Sequence, residues 1–261
     1  LKGILLAGGL GTRLYPLTKI TNKHLLPVYD RPMIHFPLMN LISSGIDDIM
    51  VVTGPEYSGR FASLLTNGSD YGIDLSFKVQ KEPLGIAHGI KLCETWAGKD
   101  DIMVVLGDNI TFEKFGGDCI DLIRRGGAKI FIKTVPNPER FGVVTLYDDG
   151  RIVDIEEKPE KPKSNTIQIG VYMFDSGIWS LLSKLKMSRR GQLEITDITN
   201  HYLSMEALDY RMIESPWFDA GNIESLFEAS EYVRKKRQEE KEHDPRRKGL
   251  QKNGSSIHDD D

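Results

Sequence analysis

The sequence predicts an α/β fold with a largely parallel sheet. Short apolar runs rich in β-branched residues alternate with helix-like stretches along most of the chain. Runs such as residues 48–53 and 101–106 are apolar almost throughout, which marks strands covered on both faces. With 261 residues, 39% of them hydrophobic, the chain can bury a sizeable core without disulfide staples.

The elements follow in order. Residues 2–6 read as the first strand, ending in Ala7-Gly8-Gly9. A helix over 33–44 has Pro32 just before it and Gly45 closing it. Strand 48–53, a helix near 56–65, strand 75–80 and a helix over 86–96 come next. Strands 101–106 and 128–135 follow. Residues 143–147 and 151–156 read as a hairpin, because Asp149-Gly150 supplies the turn. Strand 167–174 and helices over 178–186 and 195–205 complete the body, and a final helix starts near Asn222. Leu38, Leu41 and Ile42 fit a helix's core face, and Trp96 and Trp179 read as core.

Charge and composition exclude several classes. Lys and Arg total 34 against 38 Asp and Glu, so the net charge of −4 provides no reason to expect nucleic acid as a partner. Two cysteines, Cys93 and Cys119, lack zinc spacing and point to a reducing compartment. The apolar runs fall far below the ~20 residues that span a bilayer. The short run 4–7 does not read as a signal peptide. A cytoplasmic protein without membrane partners is expected. Residues 231–261 carry nine Lys/Arg and eight Asp/Glu. They read as a charged helix end and, beyond Pro245, a disordered tail, set apart from a globular domain over 1–230.

The most informative segment is Leu5-Leu6-Ala7-Gly8-Gly9-Leu10-Gly11-Thr12-Arg13-Leu14. Glycines directly after a strand let backbone N–H groups approach a phosphate. A P-loop would need Gly-Lys-Ser/Thr, and here Gly11 precedes Thr12-Arg13. A dinucleotide fingerprint would need a small residue at Leu14, and Asp30 lies in a proline-flanked segment. What remains is a glycine loop with two cations, Arg13 and Lys23, able to neutralise a polyphosphate.

Three further clusters bear on chemistry. Asp108, in Gly107-Asp108-Asn109, follows a buried strand at the sheet edge where α/β proteins bind ligands. Asp219 sits in Trp217-Phe218-Asp219-Ala220-Gly221. Two carboxylates plus substrate phosphates are a common way to hold Mg²⁺. Glu156-Glu157-Lys158-Pro159 ends the hairpin with acceptors beside a cation. Each alone has a plain reading: a tight turn, a loop cap, a solvated charge cluster. His24, His35 and His201 show no ligand spacing and read as packing or surface residues.

Taken together, these segments resemble the sugar-1-phosphate nucleotidyltransferases, and among them the members that use dTTP. The matching stretches are Gly8 to Pro16, Asn22 to Ile34, Leu106 to Ile110, Pro138 to Val144, Glu156 to Pro159, Leu193 to Ile198 and Trp217 to Gly221, in family order. The resemblance implies a three-layer, Rossmann-like nucleotide-diphospho-sugar transferase fold with a mostly parallel central sheet, and commonly a homo-oligomer. It implies that the phosphate of a sugar 1-phosphate attacks the α-phosphorus of a nucleoside triphosphate, releasing pyrophosphate. By position, Leu6, Gly8, Gly9, Gly11 and Thr12 would hold the nucleotide, with Gln80 and Gly85 reading its base. Arg13 and Lys23 would neutralise the reacting phosphates, and Asp108 and Asp219 would bind Mg²⁺. Asn109, Gly142, Glu157 and Lys158 would contact the sugar phosphate. dTTP and α-D-glucose 1-phosphate are the expected substrates, with UTP or an amino or N-acetylated sugar phosphate as the alternative. Retention of the full cation and carboxylate set argues against an inactive nucleotide-sugar sensor.

Three departures stand out. Ile167-Gln168-Ile169-Gly170 replaces the family's Ala-Val-Thr-Gly, so Gln168 is expected to offer an amide to a sugar substituent. His88 stands where Gln is usual, and Gln192 replaces a Glu.

Overall fold

The computed structural model describes residues 1–242. Strand β1 (Lys2–Ala7) leads through three short 3₁₀ turns into a small ladder, β2 (Pro27–Val28) with β3 (Arg31–Pro32). Then come α1 (His35–Ser43), β4 (Asp48–Thr53), α2 (Ser58–Leu65), β5 (Asp74–Val79), α3 (Ile86–Lys91), α4 (Glu94–Ala97) and β6 (Ile102–Leu106). The middle of the chain forms β7 (Asn109–Thr111), α5 (Gly116–Arg125), β8 (Ala128–Thr134), β9 (Gly142–Leu146), β10 (Ile152–Glu157) and β11 (Thr166–Phe174). The last part forms α6 (Ile178–Lys184), α7 (Ile195–Ser204), β12 (Leu208–Met212), β13 (Trp217–Asp219) and α8 (Ile223–Glu242).

Nine strands make one sheet, in the order β10-β9-β11-β6-β1-β4-β5, with β8 and β12 joined through β11. The pairings make it mostly parallel: β5, β4, β1, β6, β9, β8 and β12 run one way, and β11 and β10 oppose them. Along one edge β11 pairs first with β9 and then with β6, while β8 follows its other edge. The seam between β9 and β6 opens the sheet beside Gln168 and Gly170.

Strand alternation builds the three layers. Leu5 and Ala7 of β1, with Met103 and Val105 of β6, face α1, α2 and α5. Ile4, Ile102 and Val104 face the opposite layer, where Ile90, Ile178, Leu182, Ile198 and Tyr202 pack. A smaller cluster joins Leu226, Ala229 and Val233 of α8 to Ile110 and Ala220.

Most expected elements lie within two residues of their predicted limits. The helix expected over 86–96 is interrupted, because the Cys93 N–H bonds Ile90 three residues back and tightens the turn. Five strands, the two-residue β2 and β3 together with β7, β12 and β13, and helix α5 have no counterpart in the sequence reading. β7 and β13 are too short to show a period, α5 opens on two glycines, and β12 carries Asp209 and Arg211 among its apolar residues. The last helix runs past residue 230 without a break; Val233 is buried, and Arg237 Nε lies 3.4 Å from Asp30. The tail expected to be disordered beyond Pro245 lies outside the described residues. Among those residues no helix is long and apolar enough to cross a membrane.

Ile4 is wholly buried on the central strand that carries the glycine loop. Ile4→Ala is expected to lower unfolding free energy by about 2–4 kcal/mol in denaturant titration.

Candidate active site

β1 ends at Ala7 and delivers the chain into Gly8–Gly11. Gly11 has φ +68°, and a Cβ there would fall 2.9 Å from both Lys23 Cβ and Thr18 Cγ2. Glycine is therefore required for the loop to fold back onto Lys23. The following turn, Thr12–Leu14, buries Leu14 and leaves Arg13 exposed. Lys23 opens the third of these turns, which Asn22 caps by accepting from the His24 N–H at 2.9 Å.

A second segment brings the carboxylates. β6 ends at Leu106, Gly107 N–H donates to Leu6 O at 2.8 Å, and the chain turns through Asp108 into β7. β7 pairs antiparallel with β13 so that Asn109 faces Asp219, and Ala220 N–H donates to Asp108 O at 2.9 Å. That register brings Asp108 and Asp219 to one hollow. Lys23 forms an ion pair with Asp108, while Arg140 and Arg13 lie 3.2 and 3.7 Å from Asp219 Oδ2.

These charges set the titration of both acids. Burial disfavours the ionised form of Asp108, but Lys23 beside it holds the carboxyl well below the usual range. Asp219 moves the other way, up to about 6, through burial and then the Asp108 charge, partly offset by Arg13, Lys23 and Lys158. His24 is buried next to Lys23, with Nδ1 2.7 Å from Asn22 Oδ1. Burial first, and the Lys23 charge second, lower its pKa to about 3, so it packs as a neutral ring.

Two hollows adjoin at this point. One, of about 280 Å³, is lined by Leu6, Gly8, Gly9, Lys23, Gln80 and Gly85. The other, of about 180 Å³, is lined by Arg13, Gly142, Glu157, Gln168 and Asp219. Asp108, Lys158, Ile86 and Leu106 line both. Lys158 has φ 46°, an uncommon conformation for a lysine, and its N–H donates to Phe141 O at 2.9 Å. Of the expected site residues, only Gly11 and Thr12 line neither hollow; they shape the loop behind it.

Two of the expected contact residues are themselves held by hydrogen bonds within the protein. Asn109 is 3% exposed, and its amide bonds Asp108 Oδ1, the Gly170 N–H and the Trp217 indole at 3.2, 2.8 and 2.8 Å. It orients Asp108 and also lines the second hollow. Gln168, expected to meet a sugar substituent, bonds Thr196 and Thr199 of α7 with its amide nitrogen and oxygen. Gln80 Nε2 lies 3.3 Å from Gly85 O and 3.0 Å from His88 Nδ1, so His88 helps to orient the Gln80 amide.

Sequence reasoning missed Arg140 and Arg190. Arg140 stands inside the segment read only for Gly142, and its guanidinium reaches Asp219. Arg190, in Arg189-Arg190-Gly191, places Nη1 3.0 Å from Glu157 Oε1. Arg190 stands beside the turn glycine Gly191 and Arg140 ends a short 3₁₀ turn, features too common to single out.

Asp108 and Asp219 offer hard oxygen ligands to one hollow, the donor set suited to a magnesium ion that keeps water and phosphate oxygens. Among the described residues no cluster of three or more His, Cys, Asp or Glu could cage a metal alone.

A family model described as Nucleotidyl transferase matches residues 2–236. The chain belongs to that family. It is 44% identical over 240 residues to a glucose-1-phosphate thymidylyltransferase of Neisseria meningitidis serogroup A, covering 89% of this chain and 82% of the relative. A Mycolicibacterium smegmatis protein of the same name is 40% identical over 237 residues, covering 90% and 82%. Among solved structures, one from Bacillus anthracis described as a glucose-1-phosphate thymidylyltransferase with sucrose superposes with a TM-score of 0.85 at 44% identity. It covers 89% of this chain and 95% of its own. A UDP-glucose pyrophosphorylase with UDP-glucose shares the fold, with a TM-score of 0.79 at 24% identity over 90% of this chain and 98% of that one. The nucleotidyl transferase match spans the glycine loop, both aspartates and most of α8.

A neutral buried His24 makes this transferase sensitive to acid. The group binds a proton at about pH 6.5 when unfolded but only near 3 when folded, so stability falls as pH drops through that window. Relative to His24→Gln, the wild-type chain is expected to lose about 2 kcal/mol between pH 7 and pH 5 in chemical denaturation. Parallel pH profiles for the two proteins would contradict a neutral His24.

Proposed function

We propose that this chain joins dTTP to α-D-glucose 1-phosphate, giving dTDP-glucose and pyrophosphate with Mg²⁺ as cofactor. The observation that carries the reading is the meeting of two hollows at Asp108 and Lys158, with Arg13, Lys23 and Asp219 around them. The curated relatives described above bear the corresponding name.

The first hollow suits the nucleotide. Both Gln80 N–H bonds have partners in Gly85 O and His88 Nδ1, which leaves Oε1 as an acceptor. An acceptor there matches the imide N–H shared by thymine and uracil, and cytosine has none. UTP therefore stands as the second reading. Arg13 and Lys23 take up triphosphate charge that a chain of net charge −4 could not attract as a whole.

The second hollow suits the sugar phosphate, with Glu157 accepting from hydroxyls and Lys158 pairing with phosphate at the junction. A phosphate oxygen of the sugar 1-phosphate forms the new bond to the α-phosphorus, and the bond to the departing pyrophosphate breaks. No covalent enzyme intermediate is required, and the cations act by positioning and charge neutralisation. Bound between Asp108, Asp219 and the nucleotide phosphates, Mg²⁺ would supply further neutralisation of the reacting group. We further infer a homo-oligomer, and a cytoplasmic setting in which the buried, unpaired Cys93 and Cys119 stay reduced.

Incubation with Mg²⁺ across a grid of nucleoside triphosphates and sugar 1-phosphates, with products identified by mass, tests the proposal. The dTTP–glucose 1-phosphate pair is expected to lead, and dCTP to lag behind dTTP and UTP. Absence of pyrophosphate release with every pair would refute an enzyme, and preference for UTP would refute the thymidylyl assignment. Asp108→Asn is expected to lower kcat by about 10²–10³ with an unchanged circular dichroism spectrum. Near-normal turnover in that variant would remove Asp108 from the metal site.

A further inference from the structure

Gln168 is a polar residue in an otherwise apolar strand, 4% exposed on β11 where Gly142 of β9 and Ile132 of β8 pair with it. Its side chain crosses directly over Gly142, where any Cβ would fall 2.4 Å from Gln168 Nε2. The glycine thus clears the path by which the amide reaches α7.

There it meets Thr196. Gln168 Nε2 donates to Thr196 Oγ1 at 2.8 Å, and Thr196 Oγ1 donates to Glu157 Oε2 at 2.5 Å. The direction is forced by chemistry. An amide N–H can only donate, so it occupies a hydroxyl lone pair and leaves the single hydroxyl proton for the carboxylate. Thr199 Oγ1 lies 3.4 Å from Gln168 Oε1 and shares its proton with the nearer Thr196 carbonyl at 3.0 Å. Arg190 Nη1 holds the second Glu157 oxygen at 3.0 Å.

A threonine hydroxyl turns about its Cβ–Oγ bond, and Thr196, second residue of α7, has no helical turn before it to fix that rotation. A valine at position 168 would remove the one donor that occupies its lone pair and leaves its proton for Glu157. We propose that Gln168 is a positioning residue for the sugar side of the site: through Thr196 it holds the Glu157 carboxylate in one orientation. Gln168 does not read the sugar; it sets the acceptor that does. The inference rests on the reading of that hollow as a sugar 1-phosphate site.

The test is a double-mutant cycle with steady-state kinetics and thermal melts. Gln168→Met keeps the volume and removes both hydrogen bonds, and Gln168→Val repeats the test with the family's residue should the methionine not fold. Loss of one neutral hydrogen bond is expected to raise KM for the sugar 1-phosphate about 5–10-fold. kcat and the nucleotide KM should stay within about twofold. Thr196→Val should raise the same KM at least as far, and the double variant no further than Thr196→Val alone, as coupled residues do.

A lowered Tm with an unmoved sugar-phosphate KM would make Gln168 merely structural and overturn the inference. Effects that multiply in the double variant would mean that Gln168 touches the sugar independently, and would overturn it too. A wild-type protein that turns over no sugar 1-phosphate would overturn the functional reading itself and the inference with it. Active wild type beside an unaffected Gln168 variant would overturn the inference alone.

Discussion

Everything in the site depends on keeping two acidic side chains in one hollow, and the ladder between β7 and β13 imposes that proximity. Asn109 pairs with Asp219, and Ala220 reaches back to Asp108, so a shift of one residue would turn Asp219 to the other face. Two buried carboxylates repel, and leaving one buried charge unpaired costs about 3–5 kcal/mol, more than any single neutral hydrogen bond returns. Lys23 on one acid, with Arg140 and Arg13 on the other, therefore forms part of the same construction.

The surrounding architecture can be understood as support for that cluster. The glycine loop folds against Lys23 because Gly11 lacks a side chain, which directs the lysine at Asp108. Asn109 ties Asp108 to β11 and to Trp217 through a single buried amide. Helix α8 closes over the ladder from outside through Leu226, Ala229 and Val233. Packing that looks remote from chemistry thus controls the separation and charge of the site.

The two hollows differ in how their polar groups are held. On the nucleotide side, Gln80 is oriented by His88 and the Gly85 carbonyl. On the sugar side, Glu157 is held by Thr196 and Arg190, with Gln168 behind the threonine. Of the two residues that depart from the resembled pattern, His88 touches the binding residue directly, and Gln168 reaches its own only through Thr196. Such substitutions can tune a site while leaving the groups facing the ligand unchanged.

The sequence by itself determined the α/β class, the order of most strands and helices, and most of the glycines, cations and acids that line the two hollows. Those properties are local: periodicity, turn residues and motif spacing are written along the chain. Only the tertiary structure decided the partners. β7 and β13 are three residues each, with no periodic signal, yet their pairing unites Asp108 with Asp219. The bonds that hold Asn109 and Gln168 to distant residues also came only from the fold. A long-range hydrogen bond depends on the geometry of elements distant in sequence, which local pattern does not encode. The same reason explains why Arg140 and Arg190 escaped notice: each acquires its meaning from an acid on another strand.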